Sequence, residues 1–172
     1  MPTLNEGTLM YMPTTLPGVS VTKVKEIVQI TNRAIKQTPE VELVFGKAGQ
    51  AESATDPAPI SMIETWVKLK PRDQWRPGMT VDKLIKEMDA ATKMAGVVNS
   101  WGYPIKIRLD MVTTGIRTPV GVKISGADLA TIGEIAVQVE AAVKDIPGTR
   151  SAFADRVVGA KYLEIEPDRA AI

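Results

Sequence analysis

Three methionines stand inside stretches that read as β-strand: Met12 in "GTLMYMPTTLPG", Met62 in "PISMIETWVKLKP" and Met111 in "IKIRLDMVTTG". The chain contains no histidine and no cysteine, so its thioether sulfurs are its only soft ligands. A thioether is neutral and polarisable. It favours Cu(I), and by the same softness Ag(I), over hard or borderline ions, and it needs no deprotonation to bind. Three thioethers leave the charge of such an ion uncompensated, and a nearby carboxylate such as Glu64 would offset it. The competing reading is that methionine fills irregular gaps in cores and on sheet faces. The spacing alone does not decide between the two, because it does not bring the three stretches together.

The rest of the composition removes other chemistry. Without histidine or cysteine, the common nucleophilic dyads and triads and the usual zinc sites cannot be built. No phosphate-binding G-x-x-x-x-G-K-[ST], no G-x-G-x-x-G and no calcium loop occurs. A carboxylate enzyme built on Glu64 and Asp56 stays open, as the weakest of the readings. The net charge is +1 and no basic run tracks a phosphate backbone, which argues against nucleic acid. At 44% hydrophobic and 24% charged residues, the 172-residue chain has the balance of a folded soluble protein, with no apolar run of membrane-spanning length and no signal-like start.

The elements that must carry these residues follow from periodicity. Residues 8–13 alternate as a strand closed by Pro13, Pro17 and Gly18. From Ser20, an N-cap, Val21, Val24, Ile27, Val28 and Ala34 recur at helical spacing until Pro39. "VELVFGKAG" reads as a strand, and "QAESATDPAP" as a loop in which Asp56 is a turn residue. "ISMIETWVKLK" is the next strand, with Ile63, Val67 and Leu69 on its core face and Met62, Glu64, Trp66, Lys68 and Lys70 on a more polar one. Thr80 caps a helix whose apolar face is Val81, Leu84, Ile85, Met88 and Ala91.

"NSWGYPIKIRLDM" then reads as a loop followed by a strand. On a strand Arg108 and Met111 fall on opposite faces, so both reach one site only if the chain bends near Asp110. Glu64 and Arg108 also suit an ordinary cross-strand ion pair. The order β-α-β-β-α-β predicts an α+β fold, a ferredoxin-like split-βαβ sandwich. A β-α-β-β piece follows: "VGVKISG" as strand, a helix over 127–145 with Leu129, Ile132, Ile135, Val139 and Val143 inward, then strands in "SAFADRV" and "AKYLEIEP". It lacks the helix and strand that would complete a second sandwich, so the chain reads as a fragment, with domains at 1–117 and 118–172.

The blocks "MPTLNEGTLMYMPTTLPGVS", "VFGKAGQAESATDPAPISMIET", "QWRPGMT" and "IRLDMVTTGIRTPVGVKISG", in this order and spacing, resemble the periplasmic region of heavy-metal efflux pumps of the resistance–nodulation–division (RND) superfamily. The resemblance runs along essentially the whole chain and is strongest to the copper- and silver-exporting branch. It implies that residues 1–117 are the porter subdomain PC1 and residues 118–172 the first half of PC2, ahead of the docking subdomain. It further implies a proton-driven, homotrimeric inner-membrane pump that joins a periplasmic adaptor protein and an outer-membrane channel. The transported ligand is then Cu(I) or Ag(I), with no cofactor and no enzymatic step. By the same resemblance Met12, Met62 and Met111 are the metal ligands of a PC1–PC2 cleft, and Glu6, Asp56, Glu64, Arg108 and Arg117 are its charged residues. Arg117 stands where the branch carries lysine; it keeps the charge but not the compact ammonium. The zinc, cobalt and cadmium branch, which lacks the methionine set, and a metal-free docking module are the alternatives.

Overall fold

Leu9 and Tyr11 point to one side of the first strand and Met10 to the other, and the fold is organised by that division. The computed structural model describes residues 4–15, 18–49, 58–116, 118, 120–149, 151–155, 163 and 165–169. The chain divides into two compact units, Met1–Lys123 and Ile124–Ile172.

In the first unit, β1 (Thr8–Tyr11), α1 (Val21–Lys36), β3 (Val41–Ala48), β4 (Ile63–Leu69), α2 (Val81–Ala91) and β6 (Trp101–Gly102) follow one another. The strands lie in the order β3-β4-β1-β6, with all neighbours antiparallel. This is the expected split-βαβ, ferredoxin-like sheet. Two short strands, β2 (Thr14–Thr15) and β5 (Val97–Val98), form a separate pair. The expected strand over 8–13 is therefore interrupted after Tyr11. Pro13 has no N–H to offer a ladder, and pairing resumes only beyond it.

α1 and α2 form where the sequence places them. Ser20 Oγ accepts from the Lys23 N–H and Thr80 Oγ1 from the Lys83 N–H, so each caps its helix. Ile35 from α1 and Leu84, Ile85 and Met88 from α2 close over Leu9, Tyr11, Val41, Val67 and Leu69 in one core. Val24 and Ile27 of α1 pack with Ile63 in a second cluster. Glu40, fully buried at the start of β3, accepts two bonds from the Arg76 guanidinium (2.7 and 2.9 Å) and one from its backbone N–H (3.1 Å). This ties the strand to the loop ahead of α2. Arg76 holds the Glu40 carboxyl below its usual range, against the opposing effect of burial.

The segment expected as a strand after "NSWGYP" is instead a helix, α3 (Pro104–Thr114). Pro104 sits at its first turn, where the missing N–H costs nothing and the fixed φ suits a helix. Gly115 ends it with φ of 72°, and its N–H bonds the Met111 carbonyl. The fourth strand is only the two residues of β6.

In the second unit Asp128 caps α4 (Leu129–Lys144), its carboxylate accepting from the Thr131 N–H at 2.7 Å. Residues 120–126 and 151–155 form no strand where two were expected, and the rest of the second of these, with half of the expected strand "AKYLEIEP", lies outside the described residues. A strand exists only by pairing, and among the described residues these segments have no ladder partner. The expected inward face of α4 is correspondingly open. Ile132, Val139 and Val143 are half-buried, while Leu129 and Ile135 are exposed.

Candidate metal centre

The sheet face turned away from α1 and α2 carries the methionines. Met10 lies opposite Trp66 on β4 and Gly102 on β6. Met12 follows β1 directly, anchored by its N–H to the Ser100 carbonyl at 2.8 Å. Met62 precedes β4 and forms an isolated bridge with Thr14. The register that pairs Tyr11 with Thr65 is the same at that bridge, which sets Met12 opposite Glu64. Directly opposed residues share a face and stand about 5 Å apart at Cβ.

Across this face runs α3. Ile107 and Met111, one turn apart, both pack onto the sheet. Met10, Met12 and Ile107 are buried, and Met62 and Met111 are half-buried against them, in one cluster. Met12, Met62 and Met111 thus come together from three separate segments. Met12 is sealed, whereas Met62 and Met111 keep partial access to solvent.

The helix also removes the difficulty posed by a strand at this position. Arg108 and Met111 are three residues apart on α3 and therefore neighbours on its surface, with no bend required. Arg108 is exposed and on a helix, so it is not the cross-strand partner of Glu64. That partner is Lys47, which is opposite Glu64 in the β3–β4 register and brings its Nζ to 3.1 Å from Oε2. Glu64 is not on a solvated face. Its side chain is 10% exposed, and Oε2 is fully buried with no hydrogen bond. Glu6 is exposed ahead of β1. Asp56 and Arg117 lie outside the described residues.

Met10, which shares a strand face with Met12, is buried in the same cluster as core. One participant escaped the sequence reading. Lys47 had no local signal at all, since only the pairing of β3 with β4 brings it to Glu64.

The donor set suits a soft monovalent cation. Several thioethers meet beside a buried carboxylate oxygen that lacks a hydrogen-bond partner, while no group of three or more carboxylates is found among the described residues. That combination offers soft neutral ligands and one compensating charge, not the oxygen and nitrogen cage of a borderline divalent ion.

The first unit is thus a ferredoxin-like sheet whose second face gathers methionines from three segments under α3. Residues 1–172 match the AcrB/AcrD/AcrF family along their whole length, and the chain belongs to that family. It is 49% identical over 169 residues to the putative cation efflux system protein SilA of Salmonella typhimurium, and 48% identical over 169 residues to the cation efflux system protein CusA of Escherichia coli K12. Each alignment covers 98% of this chain and 16% of the relative. Identity to the cobalt-zinc-cadmium resistance protein CzcA of Cupriavidus metallidurans is 31% over 172 residues, again 98% of this chain and 16% of the relative. The crystal structure of a heavy metal efflux pump superposes with a TM-score of 0.82 at 28% identity, covering 88% of this chain and 16% of that one. The chain therefore spans about a sixth of the length of these relatives. No helix among its described residues is long and apolar enough to cross a membrane.

Proposed function

We infer that this chain is the periplasmic substrate-binding portion of a proton-driven heavy-metal efflux pump, and that it takes Cu(I) or Ag(I) through Met12, Met62 and Met111. The observation that carries this reading is the packing of these three methionines, from three segments, into one cluster beside the buried Glu64 carboxylate. The thioether set favours copper or silver, and the lower identity to the cobalt-zinc-cadmium resistance protein CzcA than to the cation efflux proteins SilA and CusA counts against zinc, cobalt or cadmium.

An incoming ion meets the half-buried Met62 and Met111 first and the sealed Met12 last. Each thioether can replace another by small side-chain rotations, because methionine has no branch and no charge to desolvate. Glu64 offsets the single positive charge that the neutral ligands leave. Arg108 and Arg117 then act on the cation's path by charge, with Glu6 and Asp56 as acidic counterparts. Transport itself belongs to an intact homotrimer in the inner membrane, joined to a periplasmic adaptor and an outer-membrane channel. The family of transporters supports a role that is not enzymatic.

Anaerobic titration of the 172-residue chain with Ag(I), read by NMR of the methionine methyls, tests the site. Saturable shifts at Met12, Met62 and Met111 that disappear in Met62→Ile are expected. If the methyls stay unmoved while the apolar packing persists, the cluster is core only and the chain serves as a metal-free assembly module.

A further inference from the structure

The sheet contains two buried carboxylates paired with basic side chains, and the two pairs are made differently. Glu40 is fully buried, and the Arg76 guanidinium and backbone satisfy it with three hydrogen bonds. Such a planar, bidentate pairing fixes geometry. Glu64 is almost as deeply buried, yet its partner is the compact ammonium of Lys47. The two are 3.1 Å apart, and the buried Oε2 still has no hydrogen bond. Attraction between the charges is strong there, but direction is absent.

The surroundings differ as well. Lys47, Glu64 and Met12 stand in one row across β3, β4 and the end of β1, on the face that carries the methionine cluster. The Lys47 side chain is 32% exposed, so its flexible stem can carry the ammonium out to water while the apolar part stays on the sheet. A neutral set of thioethers that takes up a monovalent cation adds one full positive charge to a poorly hydrated site. With Lys47 in place, the carboxylate that would neutralise that charge already has a cation.

We propose that Lys47 is the resident counter-cation of the methionine site: its ammonium occupies Glu64 in the metal-free state and yields that carboxylate to an incoming soft monovalent cation. This rests on the soft-metal reading of the same cluster. The exchange is one positive charge for another beside a carboxylate, so the local charge returns to its starting value when the ammonium reaches water. When the ion leaves, the ammonium returns. Lys47 thereby lowers the affinity for the ion and favours its release, without touching it.

The test uses the 172-residue chain under anaerobic conditions, titrated with Ag(I), in wild type, Lys47→Gln and Lys47→Arg. Glutamine keeps a hydrogen-bond donor beside Glu64 and removes the charge, whereas arginine keeps the charge. Neutralising a cation a few ångströms from the bound ion tightens binding roughly tenfold, so Lys47→Gln is expected to bind Ag(I) about that much more tightly. Lys47→Arg stays within about twofold of wild type by the same charge argument. In wild type, the Lys47 Cε and Nζ resonances shift in step with the methionine methyls as the ion binds. This readout stands even if a variant fails to fold. Equal or weaker binding by Lys47→Gln, or Lys47 resonances that stay fixed at Ag(I) saturation, overturns the exchange while leaving the metal site intact. Methionine methyls unmoved in both wild type and Lys47→Gln overturn the metal site, and the exchange with it.

Discussion

Ile107 of α3 lies directly over Gly102 of β6: a Cβ built on Gly102 would stand 2.8 Å from Ile107 Cδ1 and 2.9 Å from Cγ1. The glycine is therefore a seat. It lets the helix approach the sheet beside Met10, its neighbour in the β1–β6 register, and brings Met111 to Met12. Gly102→Ala should lift α3, cost about 1–3 kcal/mol by overpacking and weaken Ag(I) binding. Thermal unfolding and the Ag(I) titration check both effects. An alanine variant with wild-type stability and methyl shifts would show that α3 docks without this contact.

The other end of α3 rests on Gly115, whose φ of 72° suits a residue without Cβ. Gly115→Ala is expected to cost about 1–2 kcal/mol, the penalty of left-handed backbone for an L side chain. Fraying should appear first at Met111. Amide hydrogen exchange along 107–114 measures it, with faster exchange in the variant as the expected result.

The core between sheet and helices obeys ordinary packing costs. Leu84 is fully buried among Leu9, Tyr11, Val67 and their neighbours. Truncation to alanine should cost about 2–5 kcal/mol, measured by urea denaturation. The cluster around Met12 contains none of these residues, so Ag(I) affinity of the folded fraction should change little.

Stability should fall at both extremes of pH, for separate reasons. Arg76 holds the Glu40 carboxyl below its ordinary value of 4.5. The stabilisation is present above the unfolded value and is lost as pH falls through the lower folded value. Glu40→Gln should reduce stability at neutral pH and flatten this acid limb. Burial raises the Tyr11 hydroxyl from 10.0 to about 12, and that hydroxyl donates to Asn99 Oδ1 at 2.8 Å. Between these two values the unfolded chain gives up the proton and the folded chain keeps it, so stability declines as pH rises through this window. Tyr11→Phe should remove that alkaline decline, as followed by melting temperature against pH.

Much of the first unit was legible from sequence because its signals are local. Ser20 and Thr80 cap where a helical period begins, and the alternation in β4 separates Val67 and Leu69 from Trp66 and Lys68. The misreading of α3 has a definite cause. "IKIRLDMV" alternates as well as it repeats at helical spacing, and the decision lay with Pro104 before it and Gly115 after it. Further on, the period of α4 marked a real helix, but 120–126, despite its strand propensity, has no ladder partner among the described residues.

By itself, the sequence determined which ligands these 172 residues can offer: thioethers and carboxylates, with no imidazole or thiolate to compete. Residue type settles that chemistry wherever the residues lie. Tertiary structure decided which of them meet. Strand register set Met12 and Lys47 on either side of Glu64, and the seating of α3 on Gly102 carried Met111 to Met12. Met12 is dozens of positions from both Glu64 and Met111, where no local period reaches, and these approaches exist only once the sheet has formed.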